Sequence, residues 1–426
     1  MRKRGAGWQR RAAVGVAALL VAGTAHAGGI FLYEIGTPDV GYASAGWAAR
    51  ADGPVTLFTN PAGMTRLEGI QIQVGAQALY GALTFAPSAN TTVAGSDGGN
   101  AVGFFPGGSA FATFAPWSDF RVGFGVVSNF GLSEKWASGW VGRYYTTQST
   151  LIGLSILPSI AWHVAGGLSV GVAFNAMYGY LKQTAAVQNI EPQSADGALA
   201  LHSSTWGFGG NVGLLYEFTK GTRLGLAYTS PVNLGFSATP TFTGLGPGLT
   251  AAIHAAHLDT ASIDLSMTVP QTVMLSFFHA LDEKWAVMAD VGWQNWAAFG
   301  TVDVQITSSN PKSLTTNIGY SNTWHGALGA QVQLSVPWQL DFGIAYDSTM
   351  TTASNRSLSL AIGDAWRFGV GTRWALANWT LGLSYEFLWG GSPSVDVSRG
   401  PLAGTVSGSY ANTWFQFLAF NVAWRI

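Results

Sequence analysis

The chain has 426 residues, of which 48% are hydrophobic and only 10% are charged, and its formal net charge is −1. This charge content is far below the roughly 25% of a typical soluble domain, and the near-neutral balance provides no basic surface for nucleic acid. The absence of cysteine excludes disulfides and thiolate metal sites.

The first 27 residues have the organisation of a secretory signal peptide. A basic start at residues 2–4 precedes the apolar stretch 12–22, and residues 25–27, Ala-His-Ala, form a small-x-small cleavage site. A signal anchor is the alternative, but this stretch is shorter than the about 20 residues that span a bilayer. We expect cleavage after residue 27.

Residues 28–68 differ in composition from the rest of the chain. The stretch 43–51 is rich in alanine and glycine. The sequence Asn-Pro-Ala-Gly at residues 60–63 has turn chemistry, because Asn and Gly tolerate unusual backbone angles and Pro fixes φ. A disordered tail is the alternative, but it would leave Phe31, Leu32 and Trp47 in water. We therefore expect this segment to pack inside the structure formed by the rest of the chain.

Residues 69–426 show the two-residue period of strands with two different faces. In the last segment Leu418, Phe420 and Val422 alternate with Ala419 and Asn421. No stretch of 18 apolar residues follows the signal, so a helical membrane bundle is not expected. An apolar face against lipid and a small or polar face against a lumen predict a transmembrane β-barrel.

Segments with this alternation number fourteen, an even count that suits a closed barrel. Several pairs of tryptophans lie 8 or 10 residues apart with equal parity, which at ~3.3 Å per residue spaces them like the two aromatic girdles of such a barrel. Short turns alternate with longer loops, which places the short turns on the periplasmic side. The segments begin near residues 69, 107, 119, 144, 167, 202, 222, 259, 284, 317, 338, 361, 379 and 407.

Six stretches resemble the FadL/TodX family of outer-membrane transporters for long-chain fatty acids and other hydrophobic compounds, and they occur in the family's order over nearly the whole mature chain. They are Gly28–Glu34, Asn60–Gly63, Val269–Gln271 with His279–Ala286, Asp290–Trp296, Trp338–Asp347 and Gly363–Arg367.

This resemblance implies an all-β fold, a 14-stranded antiparallel transmembrane β-barrel (69–426) with an N-terminal luminal hatch or plug (28–68) after the signal peptide (1–27). It implies an apolar ligand pocket near the mature N-terminus, a lateral gate at a kink in the third strand and an outer groove formed by loops. The expected hatch residues are Asn60, Pro61, Ala62 and Gly63; the pocket residues Ile30, Phe31 and Leu32; the gate residues Asn129, Phe130 and Gly131; and the groove residues Leu249, Ile253 and Leu258.

The function expected from this resemblance is passive uptake of hydrophobic small molecules in the outer membrane of a Gram-negative bacterium, with lateral release into the membrane. Long-chain fatty acids are the first expected ligand and aromatic hydrocarbons the alternative; a non-specific water-filled porin is the rival. The expected partners are the ligand, outer-membrane lipids, lipopolysaccharide and the barrel assembly machinery, with no cofactor and no metal. A carboxylate ligand would need a cation, for which the candidates are Arg121, Arg143, Arg223, Arg367 and Arg373.

Patterns suggestive of enzymes have simpler interpretations. Gly-Leu-Ser-Val-Gly at 167–171 matches G-x-S-x-G but lies in a two-faced strand rather than on a sharp elbow. His202 and Ser204 share one strand face, as in many strands without catalytic function. His254 and His257 have no acidic residue between them, so a solvated or groove-lining position is the better interpretation than a metal site. We expect no enzymatic activity.

Overall fold

The computed structural model describes residues 31–189, 191, 194–307, 312–361 and 363–426. The predicted signal peptide and residues 28–30, including the expected pocket residue Ile30, lie outside the described residues.

Fourteen antiparallel strands form a closed barrel in which each strand pairs with its neighbours along the chain. The last strand pairs with the first, from Gln71 opposite Arg425 to Ala82 opposite Trp414. The strands are β1 Ile70–Ala82, β2 Gly103–Phe114, β3 Phe120–Lys135, β4 Gln148–Ala165, β5 Leu168–Val187, β6 Gly197–Thr219, β7 Thr222–Thr229, β8 Thr272–Ala280, β9 Trp285–Gln294, β10 Thr323–Ser335, β11 Trp338–Asp347, β12 Ala365–Leu376, β13 Trp379–Gly391 and β14 Thr413–Arg425. The predicted fold class and strand number are confirmed.

The alternation seen in the sequence separates the two faces of the barrel wall. On β14, Leu418 and Phe420 are exposed on the outside, whereas Phe417, Ala419 and Asn421 are buried inside. Exposed phenylalanine and leucine side chains are unfavourable in water but favourable against lipid. The outer face of the barrel is therefore the lipid-facing surface.

The connections between strands alternate in length, as predicted. The short turns follow β2, β4, β6, β8, β10 and β12, and the long connections lie at the opposite end. The long connections contain a four-stranded sheet of Val232–Ala238, Ser262–Val269, Thr301–Thr307 and Lys312–Asn317, and a three-stranded sheet of Phe85–Pro87, Ser394–Ser398 and Thr405–Tyr410. The strand Thr241–Thr243 pairs with β6.

Three predicted segment starts differ from the structure. Those near residues 317 and 407 fall in the loop strands Lys312–Asn317 and Thr405–Tyr410, whereas β10 starts at Thr323 and β14 at Thr413. The eighth segment was expected near residue 259, but the strand Ser262–Val269 belongs to the loop sheet and β8 starts at Thr272. Pro270 has no N–H to donate to a strand ladder, so the chain changes sheets at this point. The alternation is the same in both strands and does not distinguish them.

The described helices are short. They are the 3-10 helices Pro38–Tyr42 and Pro61–Arg66 and the α-helices Thr56–Thr59, Pro247–Ala255 and Trp296–Phe299. In the part of the chain that the structure describes, none of them has the length and apolar character needed to cross a membrane.

Candidate functional site

The N-terminal segment, residues 31–68, is enclosed by the barrel strands and is almost entirely buried. Asn60 organises its central turn. The Asn60 side chain donates to the carbonyl oxygens of Ala48 (2.7 Å) and Leu214 (2.9 Å), and its Oδ1 accepts from the amide of Ala62 (3.1 Å). Pro61 then begins the 3-10 helix Pro61–Arg66, a position where its missing N–H costs nothing.

The expected hatch residues 60–63 therefore lie together against the barrel wall. Ala62 is fully buried and packs with Ala51 and Leu215. Gly213 of β6 has no side chain, which leaves room for the Asn60 amide beside it. Small residues on the wall let the backbone of the segment approach closely.

Polar side chains on the inner wall bind the backbone of the N-terminal segment. The carboxylate of Asp290 accepts from the amides of Gly46 and Trp47, both at 3.1 Å. Gln77 accepts from the amide of Gly36 at 3.0 Å and donates to the carbonyl of Glu34 at 2.5 Å. These bonds satisfy backbone groups that have no partner in a helix or sheet.

Ion pairs add further links between the segment and the wall. Arg373 of β12 pairs with Asp52 at 2.6 Å and with Asp341 at 3.1 Å. Arg66, at the end of the segment, pairs with Glu217 of β6. The segment is thus held on opposite sides of the barrel.

A β-bulge kinks β3 at one of the expected gate residues. Ser128 pairs with Leu154 and Phe130 with Gly153, so Asn129 is the extra residue. Gly131 has φ of +144°, and an added Cβ there would contact the backbone of Leu151, which makes glycine the suitable residue.

The kink leaves a gap in the barrel wall. Pairing between β2 and β3 runs only from Ser109 opposite Val127 to Phe114 opposite Val122. Residues 103–108 of β2 remain paired with β1. Beyond the bulge, β3 does not pair with these residues. Between these two strands the ladder is open.

The expected pocket residues Phe31 and Leu32 lie at this gap. Phe31 forms an antiparallel bridge with Phe130, and the amide of Leu32 donates to the carbonyl of Asn129 at 2.9 Å. The predicted pocket and gate residues that the structure describes are therefore in direct contact. Phe31 also packs against both the largest loop cluster and the cluster formed by the N-terminal segment.

A cavity of about 90 Å³ adjoins the gap. It is smaller than the about 150 Å³ that holds benzene in an engineered protein cavity, so a larger ligand requires side chains to move. The cavity is mainly apolar. Its apolar lining includes Phe31, Leu32, Leu79, Leu83, Leu132, Trp296, Met350, Leu388, Phe415 and Phe417.

One end of this cavity is charged. Arg367 of β12 pairs with Glu34 of the N-terminal segment, with Asp347 at 2.6 Å and with Glu386 at 3.2 Å. Its guanidinium also lies 5.3 Å from the ring centroid of Tyr33. An ion-pair network thus borders an apolar space.

Four aromatic rings of the N-terminal segment continue from Phe31 into the barrel. Phe31 and Tyr33 have centroids 5.1 Å apart, Tyr33 and Trp47 5.1 Å, and Trp47 and Phe58 5.7 Å, all with edge-to-face geometry. Such contacts are favourable beyond their buried area. The segment provides an apolar surface at the level of the gap.

The expected groove residues lie in the packed core of the long loops. Leu249 and Ile253 are on the helix Pro247–Ala255 and are buried, as is Leu258. They pack with the loop sheet and with Phe130 in one cluster. An apolar core therefore extends from these loops to the kink.

Several lining residues were not predicted, among them Leu79 and Phe417. Both are buried side chains on the inner face of β1 and β14, where the sequence otherwise places small or polar residues. The signal that could have identified them was an apolar side chain at a strand position whose neighbours on the same face are small or polar.

The candidate arginines have different partners. Arg367 and Arg373 pair with acids of the inner wall. Arg121 and Arg223 instead donate to backbone carbonyls of the N-terminal segment, those of Leu67 (2.6 Å) and Ala49 (2.9 Å). Arg143 lies in a long connection and pairs with Asp196.

The G-x-S-x-G sequence lies at the start of β5 rather than on an elbow. Ser169 is buried there and accepts a hydrogen bond at 2.8 Å from Thr65 of the N-terminal segment, with His163 Nδ1 at 3.3 Å. Ser169 thus links the wall to the segment. Among the described residues no group of three or more His, Cys, Asp or Glu side chains could hold a metal ion.

Residues 18–411 match a family model described as outer membrane protein transport protein (OMPP1/FadL/TodX). Outer membrane protein P1 of Haemophilus influenzae is 28% identical over 430 residues, covering 90% of this chain and 87% of that protein. The long-chain fatty acid transport protein of Escherichia coli K12 is 25% identical over 454 residues, covering 97% and 98%.

Solved structures share the fold. A Pseudomonas aeruginosa FadL homologue superposes with a TM-score of 0.83 at 18% identity, covering 93% of this chain and 99% of that one. The Ralstonia pickettii toluene transporter TbuX gives a TM-score of 0.66 at 18% identity, covering 93% and 99%.

Proposed function

This chain belongs to the outer-membrane transport protein family OMPP1/FadL/TodX, and we propose that it performs passive uptake of hydrophobic small molecules with lateral release into the membrane. Family membership and the barrel place it in the outer membrane of a Gram-negative bacterium. We further propose that residues 1–27 are a signal peptide, residues 28–68 a hatch and residues 69–426 the transport barrel.

The observation that carries this proposal is an apolar cavity beside an opening in the barrel wall. The cavity is lined by Phe31 and Leu32 on one side and by Gly131 and Leu132 of the kinked strand on another. A molecule in this cavity is next to the interval where β2 and β3 are unpaired. Movement through that interval leads to lipid without a passage through water.

Uptake by this route needs no energy source. Burial of apolar ligand surface is favourable by roughly 25 cal/mol per Å², and lipid beyond the gap is an equally apolar environment. The loop core that includes Leu249 and Ile253 packs in one cluster with Phe130, so a ligand that displaces loop side chains meets apolar residues from the loops to the kink. The hatch prevents water-soluble molecules from following.

Two ligand classes are compatible with an apolar lining, long-chain fatty acids and aromatic hydrocarbons. Related proteins are named for each: a long-chain fatty acid transport protein and a toluene transporter. The apolar residues do not separate these classes. The charged side chains at the end of the cavity do separate a fatty-acid carboxylate from an uncharged aromatic hydrocarbon.

Deletion of Asn129 tests the lateral route. Removing the extra residue restores a regular β3, so that the unpaired interval can close while the rest of the barrel is retained. We expect uptake of toluene and oleyl alcohol into proteoliposomes to fall to the level of empty vesicles. Asn129→Ala keeps the bulge and serves as the control. Undiminished uptake by a folded deletion variant would contradict lateral release.

A water-filled porin is the rival function, and it predicts ion conductance in the native protein. We expect the full chain to conduct little in planar bilayers and a variant lacking residues 28–63 to conduct strongly, because that segment occupies the lumen. Equal conductance of the two would rule out a hatch. If the same variant also lost uptake of hydrophobic ligands, the segment would be needed for transport and would do more than block ions.

A further inference from the structure

We propose that the cavity beside the gap selects hydrophobic molecules that carry a hydroxyl group, such as long-chain alcohols or alkylphenols, and discriminates against carboxylates. This inference rests on the transport function proposed above and specifies its ligand class. Two independent features support it, the charge balance at one end of the cavity and a buried carboxyl group at another position of its lining.

Carboxylates outnumber cations around the cavity. Among the described residues that line it, Arg367 is the only lysine, arginine or histidine. This guanidinium already pairs with Glu34, Asp347 and Glu386. His325 hydrogen-bonds to Asp347 at 2.7 Å, so it adds at most one more positive charge.

With Glu34, Asp347 and Glu386 ionised, a ligand carboxylate would enter a site whose net charge is negative even with His325 protonated. Like charges in a partly desolvated site repel strongly, and a buried carboxylate without its own cation is costly. To bind Arg367, a fatty acid would have to displace one of three resident carboxylates. An uncharged hydroxyl group has neither penalty.

Glu134 of β3 supplies the second feature. On β3 before the bulge, Val122 and Phe124 face outward, and the same even parity would place residue 134 outside. The extra residue Asn129 reverses the parity, so Glu134 pairs with inward-facing Ser149. The bulge that opens the wall therefore also turns this acid into the cavity lining.

The Glu134 carboxyl is available to a ligand. The side chain is 1% exposed, and neither oxygen makes a hydrogen bond of normal geometry in the described structure. The Trp136 indole and the Ala361 amide are the donors beside it, and among the described residues no lysine, arginine or histidine forms an ion pair with it. A carboxyl group has about four acceptor positions, so these two donors leave capacity for a ligand O–H.

A hydroxyl group matches this requirement. A carboxyl oxygen accepts a hydrogen bond in either protonation state, and a ligand O–H donates one. The apolar part of the same ligand would lie against Leu79, Leu132 and Phe417, which line the cavity with Glu134. One molecule then donates to the buried acid and fills the apolar space.

Binding of three matched C18 compounds to the purified full-length protein tests this proposal: oleyl alcohol, methyl oleate and oleate. All three have the same hydrocarbon chain. The alcohol donates a hydrogen bond, the ester only accepts one, and oleate carries a negative charge. We expect the alcohol to bind at least about tenfold more tightly than oleate and more tightly than the ester.

Each other result has a distinct meaning. Oleate binding as tightly as the alcohol would overturn the charge argument, and methyl oleate binding as tightly would overturn the role of Glu134. If none of the three compounds bound, the transport proposal itself would fail.

The substitution Glu134→Gln provides a second measurement. It keeps the size of the side chain but adds an N–H donor and removes the acid, so the preference for the alcohol over oleate should narrow by about tenfold. Glu283→Gln removes the same charge from an exposed short turn and is the matched control. An unchanged preference in folded E134Q would overturn the proposal; should E134Q fail to fold, the ligand series in the native protein still decides it.

Discussion

Phe31 forms a backbone bridge with Phe130 at the point where β3 has separated from β2. The start of the described N-terminal segment thus replaces part of a missing strand ladder. The Phe31 side chain simultaneously packs against the loop core and the core of the N-terminal segment. A ligand that moves between loops, cavity and gap must therefore displace or pass this residue.

Phe31→Ala should weaken ligand binding while leaving the barrel folded. The substitution removes a half-buried ring that lines the cavity, and loss of buried aromatic contact surface costs roughly 25 cal/mol per Å². We expect oleyl alcohol affinity to fall by about tenfold, measured by equilibrium binding. Phe277→Ala, on the exposed outer face of β8, is the control; equal losses in both variants would assign no specific role to Phe31.

Gly213→Ala should disturb the hatch through one methyl group. An added Cβ at Gly213 would overlap the Asn60 amide oxygen and approach Pro61 Cδ to 3.0 Å. Overpacking of this kind typically costs about 1–3 kcal/mol, and we expect the turn at Asn60 to shift rather than the hydrogen-bonded strand β6. We expect increased ion conductance in planar bilayers.

The matched control for this variant is Gly326→Ala on β10, where the nearest atom to an added Cβ is 4.0 Å away. Its conductance should equal that of the unaltered protein. If Gly213→Ala also conducts no more than the unaltered protein, the packing of Asn60 against β6 does not keep the lumen closed.

The barrel was predictable from the sequence because one rule repeats along it. Alternation with an apolar outer face gave fourteen segments, and the closure of β1 on β14 confirms that number. The same rule misplaced the start of the eighth segment, because the strand Ser262–Val269 in the loops alternates as a barrel strand does. A strand joins one sheet or the other according to pairing partners that are distant in the sequence, and the periodicity of a single segment does not identify those partners.

The site was less predictable, for a related reason. Asn60 could be recognised from its turn chemistry, and Asn129 to Gly131 from family resemblance. Leu79, Phe417 and Glu134 meet at the cavity only through strand register and the bulge. A bulge adds a single residue without altering composition, so the inward direction of Glu134 required the structure.

Asp290→Ala should loosen the hatch locally. The buried Asp290 carboxylate accepts from the amides of Gly46 and Trp47, and each buried N–H left without a partner costs about 1–3 kcal/mol. We expect faster hydrogen–deuterium exchange in the peptide 43–51 than in the unaltered protein. Asp290→Asn retains one acceptor oxygen and should give an intermediate rate; no difference between Asp290→Ala and the unaltered protein would show that these bonds do not hold the segment.

A reversible cross-link tests whether the hatch must move for transport. Thr65 Oγ1 and Ser169 Oγ are 2.8 Å apart, so cysteines at both positions bring their sulfur atoms within reach of a disulfide, and the native chain has no cysteine to interfere. We expect the oxidised Thr65→Cys/Ser169→Cys protein to lose uptake of oleyl alcohol and to regain it after reduction. Each single variant controls for the substitution itself. Full uptake by the oxidised double variant would mean that the end of the hatch near β5 stays in place during transport, and that ligand passes by rearrangement at Phe31 and the gap alone.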